Sequence, residues 1–338
     1  MLIDDGASQV CSRGFQVVRD SRAGRFALAA LSAVATLAAV ELSLRALRSD
    51  APLPTGYAPV NTDLRFGRPR NARGYRDAER PLEKPKATRR LLAMGDSFAW
   101  GAGIEFEDTW AQRLERGLAR RRGEPWEAVN LALPGLGASD YAAQLAAEGL
   151  AYAPDVVIIG WVLNDAETKD EMKARERGYA ERERQAQSPL EASALFRFVR
   201  DRLRATQDAR ERIAYHLRLY DDSDPGWQEA RRSLKTIGAL CRERGVPWIV
   251  AVFPMFGDPL DERYPFSDVH AKVAQAATES GARAVDLLPA YRGLRSEVLV
   301  VNGALDEHPN EIAHRIAAGV LLRALDEVVP APGTSSSR

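Results

Sequence analysis

Short apolar runs alternate along the chain with longer segments in which apolar residues recur every three or four positions. The short runs are residues 91–94, 128–130, 155–159, 248–253 and 284–286. Runs of this length, separated by amphipathic helices, are typical of parallel strands joined by helical crossovers. The pattern predicts an α/β domain with three layers, in which helices cover both faces of a central parallel sheet.

A longer apolar stretch, residues 26–44, precedes these runs, and Glu41 is its only charged residue. At about 1.5 Å of helical rise per residue it is long enough to cross a hydrocarbon core of about 30 Å. We therefore expect a transmembrane helix. The alternatives are a cleaved signal peptide and an alanine-rich amphipathic helix, but no clear cleavage site follows the stretch.

Arginines are distributed unequally around this stretch. Four precede it and two follow it closely: Arg13, Arg19, Arg22 and Arg25, then Arg45 and Arg48. Positive residues favour the cytoplasmic side of a membrane. The bias predicts a single-pass protein with residues 1–25 in the cytoplasm and the α/β domain outside it, in the periplasm or the extracellular space.

The rest of the chain divides by composition. Residues 45–88 are rich in proline and arginine, which predicts an extended juxtamembrane arm. The α/β domain is expected over residues 89–328, and residues 329–338 have the composition of a disordered tail. Residues 166–222 interrupt the strand pattern with charged helical sequence, which predicts an insertion. Such an insertion forms a lid, a partner-binding surface or only a solvated face, and charge density favours the solvated face.

Charge and cysteine content argue against nucleic-acid binding, an internal disulfide and lipid attachment. Lysine plus arginine equals aspartate plus glutamate, so the formal net charge of zero gives no general attraction to nucleic acid. Cys11 and Cys241 lie on opposite sides of the apolar stretch, so a disulfide between them is not expected if that stretch spans a membrane. The residues before Cys11 do not match a lipidation site.

Candidate chemistry begins where the first strand-like run ends, at Gly95-Asp96-Ser97. A serine hydroxyl becomes an effective nucleophile when a base removes its proton and donors hold the resulting oxyanion. Two later segments, residues 130–135 ending at Gly135 and residues 161–165 containing Asn164, follow strand-like runs and offer such donors. The serine also partly fits the G-x-S-x-G elbow of α/β-hydrolases, but Ala99 replaces the second glycine.

The base is sought among four histidines: His216, His270, His308 and His314. His216 and His314 belong to helical sequence. His270 has an aspartate two residues before it, as His308 does, but Ser267 predicts a helix cap that makes His270 a surface helical residue. His308 precedes Pro309-Asn310, which ends one element and caps the next, so we select His308 as the base on a loop.

The four segments together resemble the SGNH (GDSL-type) hydrolase family, and they span residues 95 to 310 in the family's order. The resemblance implies a flavodoxin-like three-layer fold. It also implies a catalytic triad of Ser97, Asp306 and His308, with the oxyanion held by the N–H groups of Ser97 and Gly135 and by the Asn164 amide. The commonest pattern in the family has the acid three residues before histidine, where Leu305 stands here. Asp306 stands two residues before His308, and this spacing resembles that of membrane-anchored members of the family.

The expected function is that of a serine esterase or acyltransferase acting on an acyl ester, with an acetyl ester of an envelope or secreted glycan as the preferred substrate class. No cofactor and no metal are expected, since Gly135-x-Gly137 lacks the rest of a dinucleotide-binding fingerprint. The alternative is a non-catalytic glycan-binding or envelope-assembly protein that retains the fold.

Overall fold

The computed structural model describes residues 22–47, 70–185, 189–302 and 306–329. Contacts divide the chain into two compact units, Met1–Gly56 with Tyr179–Ala209, and Tyr57–Gly178 with Arg210–Arg338. Residues 1–21, most of the predicted arm, Leu305 and the predicted tail from 330 onward lie outside the described residues.

The larger unit is built on a parallel sheet of five strands in the order β2-β1-β3-β4-β5. The strands are β1 (Arg89–Gly95), β2 (Trp126–Asn130), β3 (Val156–Trp161), β4 (Trp248–Val252) and β5 (Arg283–Asp286). Each neighbouring pair is parallel. The predicted α/β fold is confirmed, and the strand order is the flavodoxin-like one, with the chain changing direction across the sheet at β1.

Helices occur before, between and after these strands in the sequence. In the order of the chain they are α1 (Arg22–Leu47), α2 (Ser97–Trp100), α3 (Trp110–Arg122), α4 (Ala138–Ala147), α5 (Lys169–Gln185), α6 (Ala194–Leu219), α7 (Pro225–Glu243), α8 (Ser267–Glu279) and α9 (Glu311–Val328). A second sheet pairs β6 (Val300–Asn302) with β7 (Asp306–Pro309) in antiparallel orientation.

Helix α3 illustrates why these segments fold as they do. Its N-terminus is capped by the Thr109 hydroxyl, and it ends at Gly123, which adopts the left-handed conformation with φ of 66°. Trp110, Leu114 and Leu118 share one face, and all three are fully buried. The periodicity of apolar residues therefore places the core side of the helix correctly.

Helix α1 belongs to the smaller unit and is longer than the predicted span of residues 26–44. By length and hydropathy, the helix from Arg22 to Ala46 can cross a membrane, and none of its most apolar part is buried by the rest of the protein. The helix extends beyond the apolar stretch because arginine and alanine are good helix formers at its two ends.

The second half of the predicted arm is packed against the larger unit. Tyr75 and Arg76 are buried, and the Arg76 guanidinium donates to the carbonyls of Gly101 (2.7 Å) and Ile104 (2.6 Å). The prediction of an extended arm up to residue 88 is wrong for residues 70–88, because proline content indicates irregular backbone and does not indicate exposure.

A buried arginine on β1 fixes this segment to the sheet. Arg90 donates to the carbonyls of Leu82 (3.0 Å) and Tyr152 (2.8 Å) and pairs with Glu127 (2.7 Å). Its side chain is fully buried, whereas that of Arg232, which pairs with Glu229, is 63% exposed. Arg90 therefore joins β1, β2 and the packed part of the arm.

Replacing Arg90 should lower the stability of the protein far more than replacing Arg232. Arg90→Ala removes the donor to the buried Tyr152 carbonyl and the closer partner of Glu127, so we expect the free energy of unfolding to fall by about 3–5 kcal/mol. Arg232→Ala should change it little, because exposed ion pairs are weak. Urea denaturation of the full-length protein in detergent, followed by tryptophan fluorescence, measures both. Equal losses would contradict the structural role assigned to Arg90.

Candidate active site

Ser97 is the first residue of α2 and follows directly on β1, the strand at the crossover point of the sheet. The turn requires glycine at the end of the strand. Gly95 has φ of 151°, and a Cβ there would lie 2.6 Å from the Ala99 Cβ and 2.8 Å from the Gly160 carbonyl oxygen. Close approach of β1 and β3 thus leaves the serine at the carboxyl edge of the sheet, where ligands meet open α/β sheets.

Ser97 takes part in a continuous line of hydrogen bonds with His308 and Asp306. Ser97 Oγ is 2.9 Å from His308 Nε2, and His308 Nδ1 is 2.6 Å from Asp306 Oδ1. A carboxylate only accepts, so Nδ1 carries the imidazole proton, and Nε2 is free to accept the serine proton. The structure brings these three predicted residues together.

The spacing of two residues between Asp306 and His308 is sufficient because one carboxylate oxygen serves two donors. Asp306 Oδ1 accepts the backbone N–H of His308 at 3.0 Å as well as the ring Nδ1–H. Burial favours the neutral carboxyl, but the hydrogen bond and charge of His308 outweigh it and lower the pKa of Asp306 below its usual value. The acid therefore stays ionised beside the imidazole.

His308 lies in the short strand β7 and not on the predicted loop. The predicted cap at Asn310 is confirmed: its Oδ1 accepts the N–H groups of Ile312 (3.0 Å) and Ala313 (3.2 Å) at the start of α9. The Phe98 ring, from the turn after Ser97, packs 5.5 Å from the imidazole centre. Helix α9 and this ring together hold His308 in place.

Gly135 ends the segment that follows β2. This segment is fastened to the serine turn by Asn130, whose Nδ2 donates to the Ala99 carbonyl (3.1 Å), and by Leu133, whose N–H donates to the Gly95 carbonyl (3.2 Å). Gly135 has φ of 78°, a left-handed conformation that favours glycine. The segment is therefore held at the same edge of the sheet as Ser97.

Asn164 lies in the turn after β3 and is held near Ser97 through Asp96. Its Nδ2 donates to Asp96 Oδ2 at 3.4 Å, and Ser97 Oγ lies 3.3 Å from the same oxygen. Asp96 Oδ1 also accepts the Phe98 N–H at 2.8 Å, which caps the serine turn. One buried carboxyl thus fixes the positions of both the serine and the asparagine.

Two buried acids beneath the site were not assigned a role from the sequence. Burial raises the pKa of Asp96, and burial followed by the charge of Asp96 raises the pKa of Asp165 well above its usual value. Asp165 accepts the Tyr141 hydroxyl (2.7 Å) and the Val162 N–H (3.0 Å). Their positions in the sequence, directly before Ser97 and directly after Asn164, are the feature from which a role near the site could be predicted.

His270 is not the surface residue that the sequence predicts. It is 1% exposed, its Nδ1 lies 2.7 Å from Asp286 Oδ1, and its Nε2 lies 3.1 Å from the Tyr264 hydroxyl. This second aspartate–histidine pair supports the loop after β4, because Tyr264 Oη accepts the Met255 N–H at 2.9 Å. The sequence cannot distinguish it from an exposed residue, since the partner Asp286 lies on a different element, the strand β5.

Both ends of the charged insertion that belong to the larger unit lie close to the site. Met172 Sδ is 3.7 Å from where a Cβ on Gly135 would stand. Arg212 pairs with Asp258 (2.6 Å) and lies 3.9 Å from the Glu307 carboxylate, next to His308. These contacts bring the two ends beside the site, and whether the insertion is a solvated face or a lid stays a prediction. In the described residues, no group of histidine, cysteine and acidic side chains is arranged to hold a metal ion.

Comparison with known proteins identifies a family for this chain. The model of the GDSL-like Lipase/Acylhydrolase family matches residues 93–316. No curated protein matches the chain.

Solved structures similar to the chain include the following three. TesA is 18% identical, with 71% of this chain and 99% of that chain covered and a TM-score of 0.43. A catalytic mutant of Axe2, an acetylxylan esterase from Geobacillus stearothermophilus, is 17% identical, with coverage of 70% and 93% and a TM-score of 0.44. LAE5, an alpha/beta hydrolase from the metagenome of Lake Arreo, is 20% identical, with coverage of 70% and 94% and a TM-score of 0.45.

The family match extends over most of the chain and includes Ser97, Gly135, Asn164 and His308. The chain therefore belongs to the GDSL-like lipase/acylhydrolase family, the SGNH hydrolases, which are ester-bond hydrolases.

Proposed function

We propose that the protein is a serine esterase or acyltransferase that works through an acyl-enzyme on Ser97. The observation that carries this proposal is the line of hydrogen bonds from Asp306 through His308 to Ser97, at 2.6 and 2.9 Å. A nucleophile within hydrogen-bond reach of a base, and a base oriented by a third group, is the arrangement that acyl transfer requires.

The reaction follows from the protonation state of His308. Nε2 takes the proton of Ser97 as Oγ attacks the ester carbonyl carbon. The π electrons of the carbonyl bond move onto the carbonyl oxygen, which gives a tetrahedral intermediate with an oxyanion. When the intermediate collapses, the bond to the alcohol breaks, and the imidazolium returns its proton to that alcohol. Water or an acceptor hydroxyl then attacks the acyl-enzyme while His308 again takes the proton and releases it to Ser97.

The oxyanion is held by three donors in this proposal: the N–H groups of Ser97 and Gly135 and the Asn164 amide. The contact between Asn164 Nδ2 and Asp96 Oδ2 supports it, because that contact fixes the amide before substrate arrives. Burial raises the pKa of Asp96 and so favours a neutral carboxyl beside the developing negative charge.

The substrate that we propose is an acyl ester, first of all an acetyl ester, on an envelope or secreted glycan. This choice rests on the location proposed for the domain. Helix α1 would span the membrane with the N-terminus in the cytoplasm and Ser97 outside it, as the excess of arginines before the helix favours. A non-catalytic glycan-binding role is the alternative if the protein proves inactive.

Ser97→Ala should remove esterase activity. With the nucleophile gone, we expect kcat to fall by about 10⁴–10⁶, to the level that bound substrate and oxyanion donors alone provide. Hydrolysis of a chromogenic acetyl ester by the full-length protein measures the change. Turnover equal to that of the unmodified protein would remove Ser97 from the mechanism, and an unmodified protein without any turnover would favour the binding role.

The two aspartate–histidine pairs allow a matched test of the base. His308→Gln should lower kcat/KM by about 10³ or more, since glutamine cannot take the serine proton. His270→Gln keeps a polar side chain beside Asp286 and should change kcat/KM only a few-fold, with any larger effect on thermal stability. Ester hydrolysis and circular dichroism of both variants provide the comparison. The reverse order of losses would move the base to His270.

Asn164→Ala should lower kcat by about 10²–10³ with little change in KM, because the amide acts on the developing oxyanion and not on the bound ester. Steady-state kinetics with the same acetyl ester separate the two parameters. A change confined to KM would instead make Asn164 a contact to the substrate's ground state.

The proposed topology predicts where the C-terminus lies. A reporter that is active only outside the cytoplasm, fused after Arg338, should be active, and a reporter that is active only in the cytoplasm should be silent at the same position. The opposite pair of results would place the domain inside the cell and rule out an envelope glycan as the substrate.

A further inference from the structure

The one acidic residue of the apolar stretch, Glu41, is fully engaged within the smaller unit. Its Oε1 accepts the Ala194 N–H (2.8 Å) and its Oε2 accepts the Leu195 N–H (2.7 Å) and the Ser193 hydroxyl (2.9 Å). Arg45, one turn along α1, completes the set with a 2.7 Å ion pair. A carboxylate inside an apolar helix is costly in a membrane unless it is satisfied in this way.

Through these contacts, Glu41 of α1 caps the N-terminus of α6. Ala194 and Leu195 are the first residues of α6, whose N–H groups have no partner within the helix. Arg45 also donates to the Ala192 carbonyl at 2.8 Å, just before α6 begins. Glu41 and Arg45 therefore fasten the start of α6 to the C-terminal end of α1.

The residues around this junction expose apolar side chains. We define residues 189–200 as the interface segment. Four of its large apolar residues are exposed: Leu190 (60%), Phe196 (36%), Phe198 (46%) and Val199 (45%). Arginines alternate with them, and the Arg200 guanidinium lies 5.9 Å from the centre of the Phe196 ring. Aromatic and aliphatic side chains mixed with arginine are typical of segments that lie in the membrane–water interface.

We propose that the interface segment is seated in the headgroup region of the lipid bilayer that α1 spans, and that Glu41 holds it there. This rests on the proposal that α1 is a membrane anchor. Glu41 is five residues from Ala46, the end of the membrane-competent helix, which corresponds to about 8 Å of helical rise. Interfacial segments insert to a depth of about 5–10 Å, so the fastening point at Glu41 lies at a matching depth.

Helix α1 also exposes apolar side chains next to Glu41. The side chains of Val40 and Leu42, which flank Glu41 in α1, are both exposed. If lipid covers α1 at this level, the same lipid reaches the side chains fastened next to Glu41. Arg197 and Arg200 outnumber Glu191 in the segment, and this excess of positive charge favours bilayers containing anionic lipid.

Spin labelling of the full-length protein tests the position of the segment. In a Cys11→Ser, Cys241→Ala background, a nitroxide is attached at Phe198→Cys in nanodiscs of phosphatidylcholine and phosphatidylglycerol. Leu31→Cys, in the middle of α1, is the lipid reference, and Arg232→Cys, on an exposed face of α7, is the water reference. Collision with oxygen reports lipid, and collision with a water-soluble nickel chelate reports water.

We expect the label at 198 to resemble that at 31, with oxygen accessibility several-fold above nickel accessibility, and the label at 232 to show the reverse. A label at 198 that resembles 232, while 31 is in lipid, overturns the proposal and leaves the anchor intact. A label at 31 that is itself in water overturns both. A label at 198 shielded from oxygen and nickel alike places the segment against protein and also overturns the proposal. Ester hydrolysis of the same samples reports independently on Ser97.

A second variant tests the role of Glu41. Glu41→Leu removes the acceptors of the Ser193, Ala194 and Leu195 donors while keeping α1 apolar, so nickel accessibility at 198 should rise several-fold. Thr36→Val is the control, since the Thr36 hydroxyl donates within α1, to the Ser32 carbonyl. No change at 198 in Glu41→Leu would contradict the fastening, and an equal rise in Thr36→Val would contradict its specificity.

Discussion

The parallel pairing of β1 with β2 on one side and β3 on the other is the constraint on which the site depends. Because the strands run in the same direction, their carboxyl ends meet at one edge, and the segments bearing Ser97, Gly135 and Asn164 leave the sheet side by side. The pairing of Gly95 with Gly160 brings β1 and β3 close enough for the serine turn to pack directly on its neighbour. A side chain at position 95 would separate them.

Local hydrogen bonds then set the geometry more finely than the sheet does. Asp306 holds both the backbone and the ring of His308, while Asp96 holds both the serine turn and the Asn164 amide. Asp306 thus orients the base, and Asp96 joins the serine turn to the Asn164 amide. Burial limits the water that competes for these contacts, which strengthens them.

The sequence predicts the parts of this arrangement that depend on local pattern. Strand runs, the cap at Asn310, and the order of Ser97, Asn164 and His308 are all visible in neighbouring residues. The burial of His270 and Arg76 is not visible, because their partners, such as Asp286 and the carbonyl of Ile104, are distant in sequence. For the same reason, a lone acid in an apolar stretch, Glu41, gives no indication that its partners lie some 150 residues further along. Contacts of this kind are decided by packing and not by periodicity.

The central claim is that Ser97 is activated by His308 in a line that ends at Asp306. A fluorophosphonate, which reacts with serines activated in this way, tests it most directly when the modified residue is located by peptide mass spectrometry. The account predicts one adduct per chain, on Ser97, and loss of that adduct when the protein is unfolded before treatment. An adduct on a different residue, or none on the folded protein, would contradict it.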